Sequence, residues 1–319
     1  MHKQVAVLRQ KVHGMDASRY VETIRDHLAD ATLDDYEVHL AETPTQERVL
    51  LESATAATGT ALPDDTVSAA QNLSLFACVY AGTDHLDLDA YEDHGIAVTN
   101  ASGVHGPNLS EHVVGGLITM AREFPRALDQ QADGVWRSYR TRELHGSTVA
   151  VVGLGALGEA IVDRLEPFGV DTVGVRYSPE KGGPTDEVYG FDEIHEATAG
   201  AEYVVLVCPL TDATEGLVDE DVLATMPANT IIVNVARGPV IDTDALLSAL
   251  RKNKIGATML DVTDPEPLPP EHPLWDMDDV LITPHNAGHT EAYYGRCAEI
   301  LVGNLQALEA GGDLRNRVV

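Results

Sequence analysis

The chain has 319 residues, 44% of them hydrophobic, enough for buried cores in about two domains of roughly 150 residues and too many for a disordered chain. Its 51 acidic residues against 21 Lys and Arg give a formal charge of −30, which repels nucleic acid and anionic membranes and excludes both as default partners. No stretch reaches the ~18 uninterrupted apolar residues of a membrane span.

The N-terminus, Met1-His2-Lys3-Gln4, runs directly into the strand-like Val5-Ala6-Val7-Leu8 with no signal-peptide pattern. Over the first hundred residues, short apolar runs at 5–8, 36–39, 54–58, 73–79 and 96–99 predict strands. Helical patterns at 17–29, 64–70 and 88–94 fall between them, with Asp16 and Pro63 as start signals. Strands alternating with helices predict a parallel sheet covered on both faces. A longer helix is expected over 108–122, followed by a loop carrying Trp136. From Ser147 a second and stronger alternation begins, with apolar runs at 149–152, 172–175, 203–207, 231–235, 258–261 and 280–282. Six such runs match an open dinucleotide-binding sheet. A last helix is expected over 291–308, ended by Gly311-Gly312, which returns the tail to the first domain. The expected division is 1–101 with 289–319, and 102–288.

The cysteines Cys78, Cys208 and Cys297 are widely spaced and form no CxxC pair. Neither a disulfide framework nor a metal site is expected, and a reducing, cytoplasmic location fits. The acids are spread rather than gathered in a tail: Asp34-Asp35, Asp64-Asp65, Asp219-Glu220-Asp221, Asp276 and Asp278-Asp279. They carry no EF-hand spacing. Their spread points to a surface adapted to high salt, since at ~1 M the Debye length falls to ~3 Å and mutual repulsion is screened.

The second alternation opens with Gly153-Leu154-Gly155-Ala156-Leu157-Gly158 between a predicted strand and a helix over 159–166. In that context GxGxxG is a dinucleotide fingerprint: the first glycine allows the turn, the second lets backbone approach a pyrophosphate, and the third permits close helix packing. The helix N-terminus then presents free N–H groups to the phosphates. At the end of the following strand, where an acid normally takes the adenosine ribose, stand Arg176, Tyr177 and Ser178. A guanidinium there pairs with a 2′-phosphate and Ser178 adds a hydrogen bond, which favours NADP(H) and leaves NAD(H) possible.

Three segments lie beyond the ends of late strands, where open α/β sheets bind ligands: Asn234-Val235-Ala236-Arg237-Gly238-Pro239, Asp261-Val262-Thr263-Asp264-Pro265-Glu266-Pro267 and Thr283-Pro284-His285-Asn286-Ala287-Gly288. Together with Ala81-Gly82-Thr83-Asp84, Glu111-His112, the glycine loop and Pro209-Leu210-Thr211, they make the chain resemble the D-isomer-specific 2-hydroxyacid dehydrogenase family over nearly its whole length. The resemblance implies a flavodoxin-like substrate domain plus a Rossmann dinucleotide-binding domain, both doubly wound. It also implies interconversion of a 2-ketoacid and a D-2-hydroxyacid by Arg237, Glu266 and His285. Arg237 offers a forked cation to the substrate carboxylate and carbonyl. His285 serves as general acid and, in reverse, general base. Glu266 orients the imidazole and stabilises its charge.

The resemblance further implies that Asp261 accepts from the nicotinamide carboxamide, that Thr214 lies near the cofactor phosphates, and that Val207, Cys208 and Pro209 line the adenine-ribose side. Gly288 would pack at the nicotinamide end. Ala81 and Gly82 resemble backbone donors to the substrate carboxylate from the other domain. Bland alternatives stand beside these: a surface ion pair for Arg237, an exposed loop acid at Glu266, a structural His285, and pocket wall or core for Trp275. Cys208 reads as a small apolar wall rather than a reactive thiol. The domains are expected to close over the cofactor, with chain crossings near 101–103 and 288–290. Formate dehydrogenases of this fold carry glutamine in place of Glu266, and phosphoglycerate dehydrogenases often carry a further domain, so neither branch is favoured. The helix from Asn108 and the loop through Trp136 resemble the arm of a two-fold homodimer. A competing reading is a corepressor-like protein that senses the dinucleotide without turnover; the complete Arg237, Glu266 and His285 set speaks against it.

Overall fold

A computed structural model describes residues 3–12, 14–63 and 66–319 and divides the chain into two units: Met1–Val104 with His289–Val319, and His105–Gly288. The first crossing falls at 104/105 rather than 101/102. Asn316 Nδ2 donates to the carbonyls of Asn100 and Ser102, and Arg296 donates to that of Val104, so these residues stay with the first unit.

In the first unit, β1 (Lys3–Val7), β2 (Tyr36–Leu40), β3 (Ala56–Gly59), β4 (Leu75–Cys78) and β5 (Ala97–Thr99) form a parallel sheet in the order β2-β1-β3-β4-β5. This is the flavodoxin-like winding. Val5 and Val7 enter one core with Tyr20, Ile24, Tyr294 and Leu301, while Ala6 and Leu8 enter the other with Leu51, Phe76 and Tyr91. The period of two in a continuous apolar run therefore feeds two cores at once. Helix α1 (Ala17–Asp30) starts at Asp16, whose side chain accepts from the Ser18 amide. The last helix of the chain, Tyr293–Ala310, packs beside it, with the Tyr20 and Tyr294 rings stacked 4.6 Å apart. Gly311 ends that helix at φ +65°, the left-handed conformation that glycine adopts without strain.

The expected helix over 64–70 is corrected. Residues 64 and 65 lie outside the described residues, and 66–69 form a single turn in which Thr66 O accepts from the Ala69 and Ala70 amides. Helix α2 (Pro44–Leu51) was not anticipated, although Thr43 and Gln46 make a reciprocal capping box at its start. The short α3 (Leu88–Asp93) leads into β5.

The second unit opens with α4 (Gly106–Ala121) and α5 (Phe124–Ala132). Its sheet has seven parallel strands, not six: β6 (Thr148–Val152), β7 (Asp171–Val175), β8 (Glu187–Tyr189), β9 (Tyr203–Leu206), β10 (Ile231–Asn234), β11 (Ala257–Leu260) and β12 (Val280–Ile282). The order is β8-β7-β6-β9-β10-β11-β12. The extra strand β8 is a three-residue edge strand whose partly exposed sequence lacks the apolar run of the others. On central β6, Val149 and Val151 face one core and Ala150 and Val152 the other, all four at 0% exposure. Each such valine contributes roughly 1.5–3 kcal/mol of burial. Helix α4 approaches β11 closely because Gly116 has no side chain: a Cβ there would lie 2.1 Å from Met259 Sδ.

Helices α6 (Ala156–Leu165), α7 (Ile194–Thr198), α8 (Glu220–Thr225) and α9 (Thr243–Arg251) complete the winding, before α10 (Tyr293–Ala310) in the first unit. The acid run at 219–221 has a local role here. Asp219 accepts from the Val222 amide, and Glu220 and Asp221 occupy the first turn of α8, where negative charge meets the positive end of the helix dipole.

Candidate active site

The sheet order reverses between β6 and β9, and the glycine loop leaves β6 at that switch point. Gly153 takes φ +116°, and a Cβ on it would lie 2.5 Å from the Cys208 amide nitrogen, so the loop passes against the chain leaving β9. A Cβ on Gly158 would lie 2.2 Å from Gly153 O, which makes the third glycine necessary for α6 to sit on the loop. Gly155, by contrast, faces open space and caps α6 without any side-chain hydrogen bond. Gly155 and Ala156 are exposed, and Leu157 is half-buried. A dinucleotide fits this cradle: the backbone is bare at Gly155, and the α6 N-terminus is free of a competing side-chain acceptor.

Arg176 follows β7. Its guanidinium donates to Gly182 O at 2.5 Å and stands 3.8 Å from Glu159 Oε1 on the first turn of α6. That side chain is mostly covered, Ser178 is half-buried, and Tyr177 is 81% exposed. Across the switch point Val207 is half-buried, Cys208 buried and Pro209 exposed. Burial pushes the Cys208 thiol up to about 11, in keeping with an inert wall.

Thr214 is fully buried. Its hydroxyl donates to Pro209 O at 2.6 Å and accepts from the Thr211 amide at 2.8 Å. It braces the 209–214 loop from within, its one proton committed to Pro209 O.

The catalytic candidates stand beyond three adjacent strands, whose ends align as Asn234, Leu260 and Ile282. Neighbouring strands run ~4.8 Å apart, so Arg237, Glu266 and His285 leave the sheet at one edge. Arg237, exposed and extended, follows a turn held by the buried Asn234, whose side chain accepts from the Ala236 amide at 3.0 Å and donates to Arg237 O at 3.2 Å. Gly238 then passes beneath the next segment: a Cβ there would lie 2.0 Å from Thr263 O. Thr243 Oγ1 also donates to Asp264 O at 3.3 Å. Sequence reasoning assigned no role to Asn234, Gly238 or Thr243; only their contacts reveal that they shape the Arg237 and Glu266 loops.

His285 Nδ1 donates to Glu266 Oε1 at 2.6 Å, with the two side chains 50% and 43% exposed. Fixing Nδ1 in this way points Nε2 elsewhere as the working nitrogen. The His285 backbone sits at φ +53°, an unfavourable conformation for a side-chain-bearing residue that the surroundings must impose. Its amide donates to Asp261 O at 2.8 Å. Asp261 itself is 3% exposed; Oδ1 accepts from Thr283 Oγ1 at 2.6 Å and the Asn286 amide at 2.8 Å, and Oδ2 from the Ala287 amide at 2.9 Å. The carboxylate thus holds the turn that carries His285.

Gly288 has room for a Cβ, which would meet only the His105 ring at 3.7 Å. Trp275 is half-exposed with Nε1 donating to Pro269 O, so it is not core. In the first unit, Ala81 and Gly82 follow β4, both exposed, and their amides donate to no other group among the described residues.

Residues 114–287 match the D-isomer specific 2-hydroxyacid dehydrogenase, NAD binding domain. The chain belongs to the D-isomer specific 2-hydroxyacid dehydrogenase family. It is 35% identical over 248 residues to glyoxylate reductase/hydroxypyruvate reductase of Homo sapiens, covering 75% of each chain. It is 33% identical over 264 residues to D-3-phosphoglycerate dehydrogenase of Methanocaldococcus jannaschii, covering 82% of this chain but only 50% of that one. A family structure from Xanthobacter autotrophicus Py2, solved with NADPH and MES, superposes with a TM-score of 0.78 at 30% identity, covering 99% of this chain and 98% of the other. The family consists of NAD(P)-dependent oxidoreductases, and the two parallel-sheet units are its fold. No helix among the described residues is long and apolar enough to cross a membrane.

Proposed function

We propose that this family member is an NADP(H)-preferring oxidoreductase that interconverts a small 2-ketoacid and a D-2-hydroxyacid. The observation that carries the reading is the 2.6 Å hydrogen bond from His285 Nδ1 to Glu266, at the sheet edge where Arg237 also emerges. When bound, the nicotinamide supplies or accepts the hydride. Gly153, Gly155 and Gly158, with the amides of Ala156 and Leu157, would cradle its pyrophosphate. Arg237 binds the substrate carboxylate and polarises its carbonyl, a fork of donors that carries its charge at every working pH. His285 Nε2 delivers the proton to the carbonyl oxygen in reduction and withdraws it from the hydroxyl in oxidation. Glu266 keeps Nδ1 protonated, so that Nε2 alone exchanges the proton.

The NADP(H) preference rests on Arg176, placed where an acid would otherwise meet the ribose. Glu159, 3.8 Å away, tempers that preference and leaves NAD(H) usable. The relative from Xanthobacter autotrophicus Py2 holds NADPH, which supports this choice. A homodimer is supported by α5, which buries none of its residues and exposes Phe124 and Leu128 close to the exposed Val135 and Trp136. The three buried free thiols suit a cytoplasmic setting.

The test follows nicotinamide absorbance while NADPH, then NADH, is mixed with a panel of 2-ketoacids from about 0.1 to 3 M salt. Turnover that favours NADPH and rises with salt is expected. Binding without consumption would select the dinucleotide-sensing reading, and undiminished activity in dilute buffer would remove the salt adaptation.

A further inference from the structure

His112 lies on α4, four residues beyond Asn108, so both occupy one helix face. Both reach the turn that carries His285. Asn108 Nδ2 donates to Ala287 O at 2.8 Å. His112 Nε2 stands 3.3 Å from Thr283 Oγ1 and 3.5 Å from Asp261 Oδ1. Counting donors settles the direction of this network. The Asp261 carboxylate only accepts, and Thr283 gives its single proton to it at 2.6 Å. Both groups facing His112 Nε2 are therefore acceptors, and that nitrogen must carry a hydrogen.

We propose that His112 is a positioning residue for the reaction, acting through Thr283 and Asp261 to hold the 283–287 turn in the conformation that sets His285 against Glu266. The proposal rests on the assignment of His285 as the acid/base. Turn 283–287 needs such a clamp because His285 is held at φ +53°. A helix face is a suitable anchor: α4 is fixed over the sheet by its contact at Gly116, and it is stiffer than any loop. His112 touches neither Glu266 nor His285, so its effect is on where the imidazole stands.

The experiment compares His112→Leu, which fills the space without a donor, with His112→Gln, whose amide restores one. His112→Leu is expected to lower kcat by ~10- to 100-fold, the scale of a displacement near 1 Å, while equilibrium NADPH affinity stays within about threefold. His112→Gln should recover most of that loss. Thr283→Val should reproduce the Leu phenotype, and the double variant should be no worse than the worse single one, since both break one relay. Long-range nitrogen-15 NMR of the imidazoles should find His112 protonated at Nε2, with or without turnover.

A His112→Leu enzyme with kcat within twofold of the parent overturns the proposal. So do equal losses in the Leu and Gln variants, additive losses in the double variant, or a bare Nε2. If Leu does not fold, Thr283→Val and the NMR signal decide alone. His285→Gln, run alongside, separates the two readings: unchanged turnover there removes the acid/base assignment and leaves the NMR test of the relay standing.

Discussion

Gly238→Ala probes how the Arg237 and Glu266 loops are locked together. At Gly238 the backbone φ is not positive, so alanine meets no conformational penalty, and the effect is purely one of space. The added Cβ would lie 2.0 Å from Thr263 O and 2.7 Å from the Asp264 nitrogen, both backbone atoms with no rotamer to escape into. To reach the 3.4 Å of ordinary contact, the Thr263 carbonyl must retreat by roughly 1.4 Å. Glu266 is three residues along the same loop, and its bond to His285 has no slack at 2.6 Å. A shift of that size breaks the bond unless the His285 turn follows, and that turn is tied to Asp261 at the Asn286 and Ala287 amides. Overpacking should lower stability by ~1–3 kcal/mol. Misplacement of the dyad should lower kcat by ~100-fold, about 2.7 kcal/mol in barrier. Steady-state ketoacid reduction and a thermal melt measure the two effects. Gly115→Ala is the control, because a Cβ there meets nothing within 4 Å on an exposed helix face; it should stabilise by ~0.5–1 kcal/mol. A Gly238→Ala enzyme with the parent's kcat and melting temperature would refute the idea that this close approach holds the site together.

Arg176→Asp should reverse the cofactor preference toward NADH and abolish binding of 2′,5′-ADP, while an unchanged ratio of kcat/KM values would mean the residue does not meet the adenosine ribose. Alkaline stability follows from the buried thiols, since Cys208 rises to about 11 and Cys297 to about 12 from 9.0. The folded state keeps these protons while the unfolded state releases them above about pH 9, so stability should fall as pH rises by ~1.4 kcal/mol per unit for each thiol. Melts between pH 8 and 10.5 should show a shallower fall for Cys208→Ala than for the parent, and identical slopes would contradict the assignment. If the proposed homodimer forms through the exposed apolar face of α5, Leu128→Glu should lower the mass seen in sedimentation to that of one chain, and an unaltered mass would refute that interface.

Much of the fold was readable because parallel strands covered on both faces must be apolar throughout, which makes runs such as Thr148–Val152 and Ile231–Asn234 plain against a strongly acidic chain. Edge strand β8 escaped because an edge needs only partial burial. Helix α2 escaped because its eight residues bury just two, so no periodic stripe betrays it and only the capping box does. Among the candidate site residues, Arg237, Glu266, His285 and the glycine loop stand out by residue type and place after a strand, and the roles expected of them come from the family resemblance.

Residues with inward roles were missed where a side chain's partner lies on a segment distant in sequence. Thr214 also braces its own 209–214 loop, and Asp261 the turn that carries His285. His112 and Thr283 are 171 positions apart and meet only because α4 lies across the strand ends. Local sequence thus determined which groups could donate, accept or bear charge. Tertiary packing decided which of them were already committed to one another, because hydrogen-bonding capacity is finite and burial leaves no water to share it.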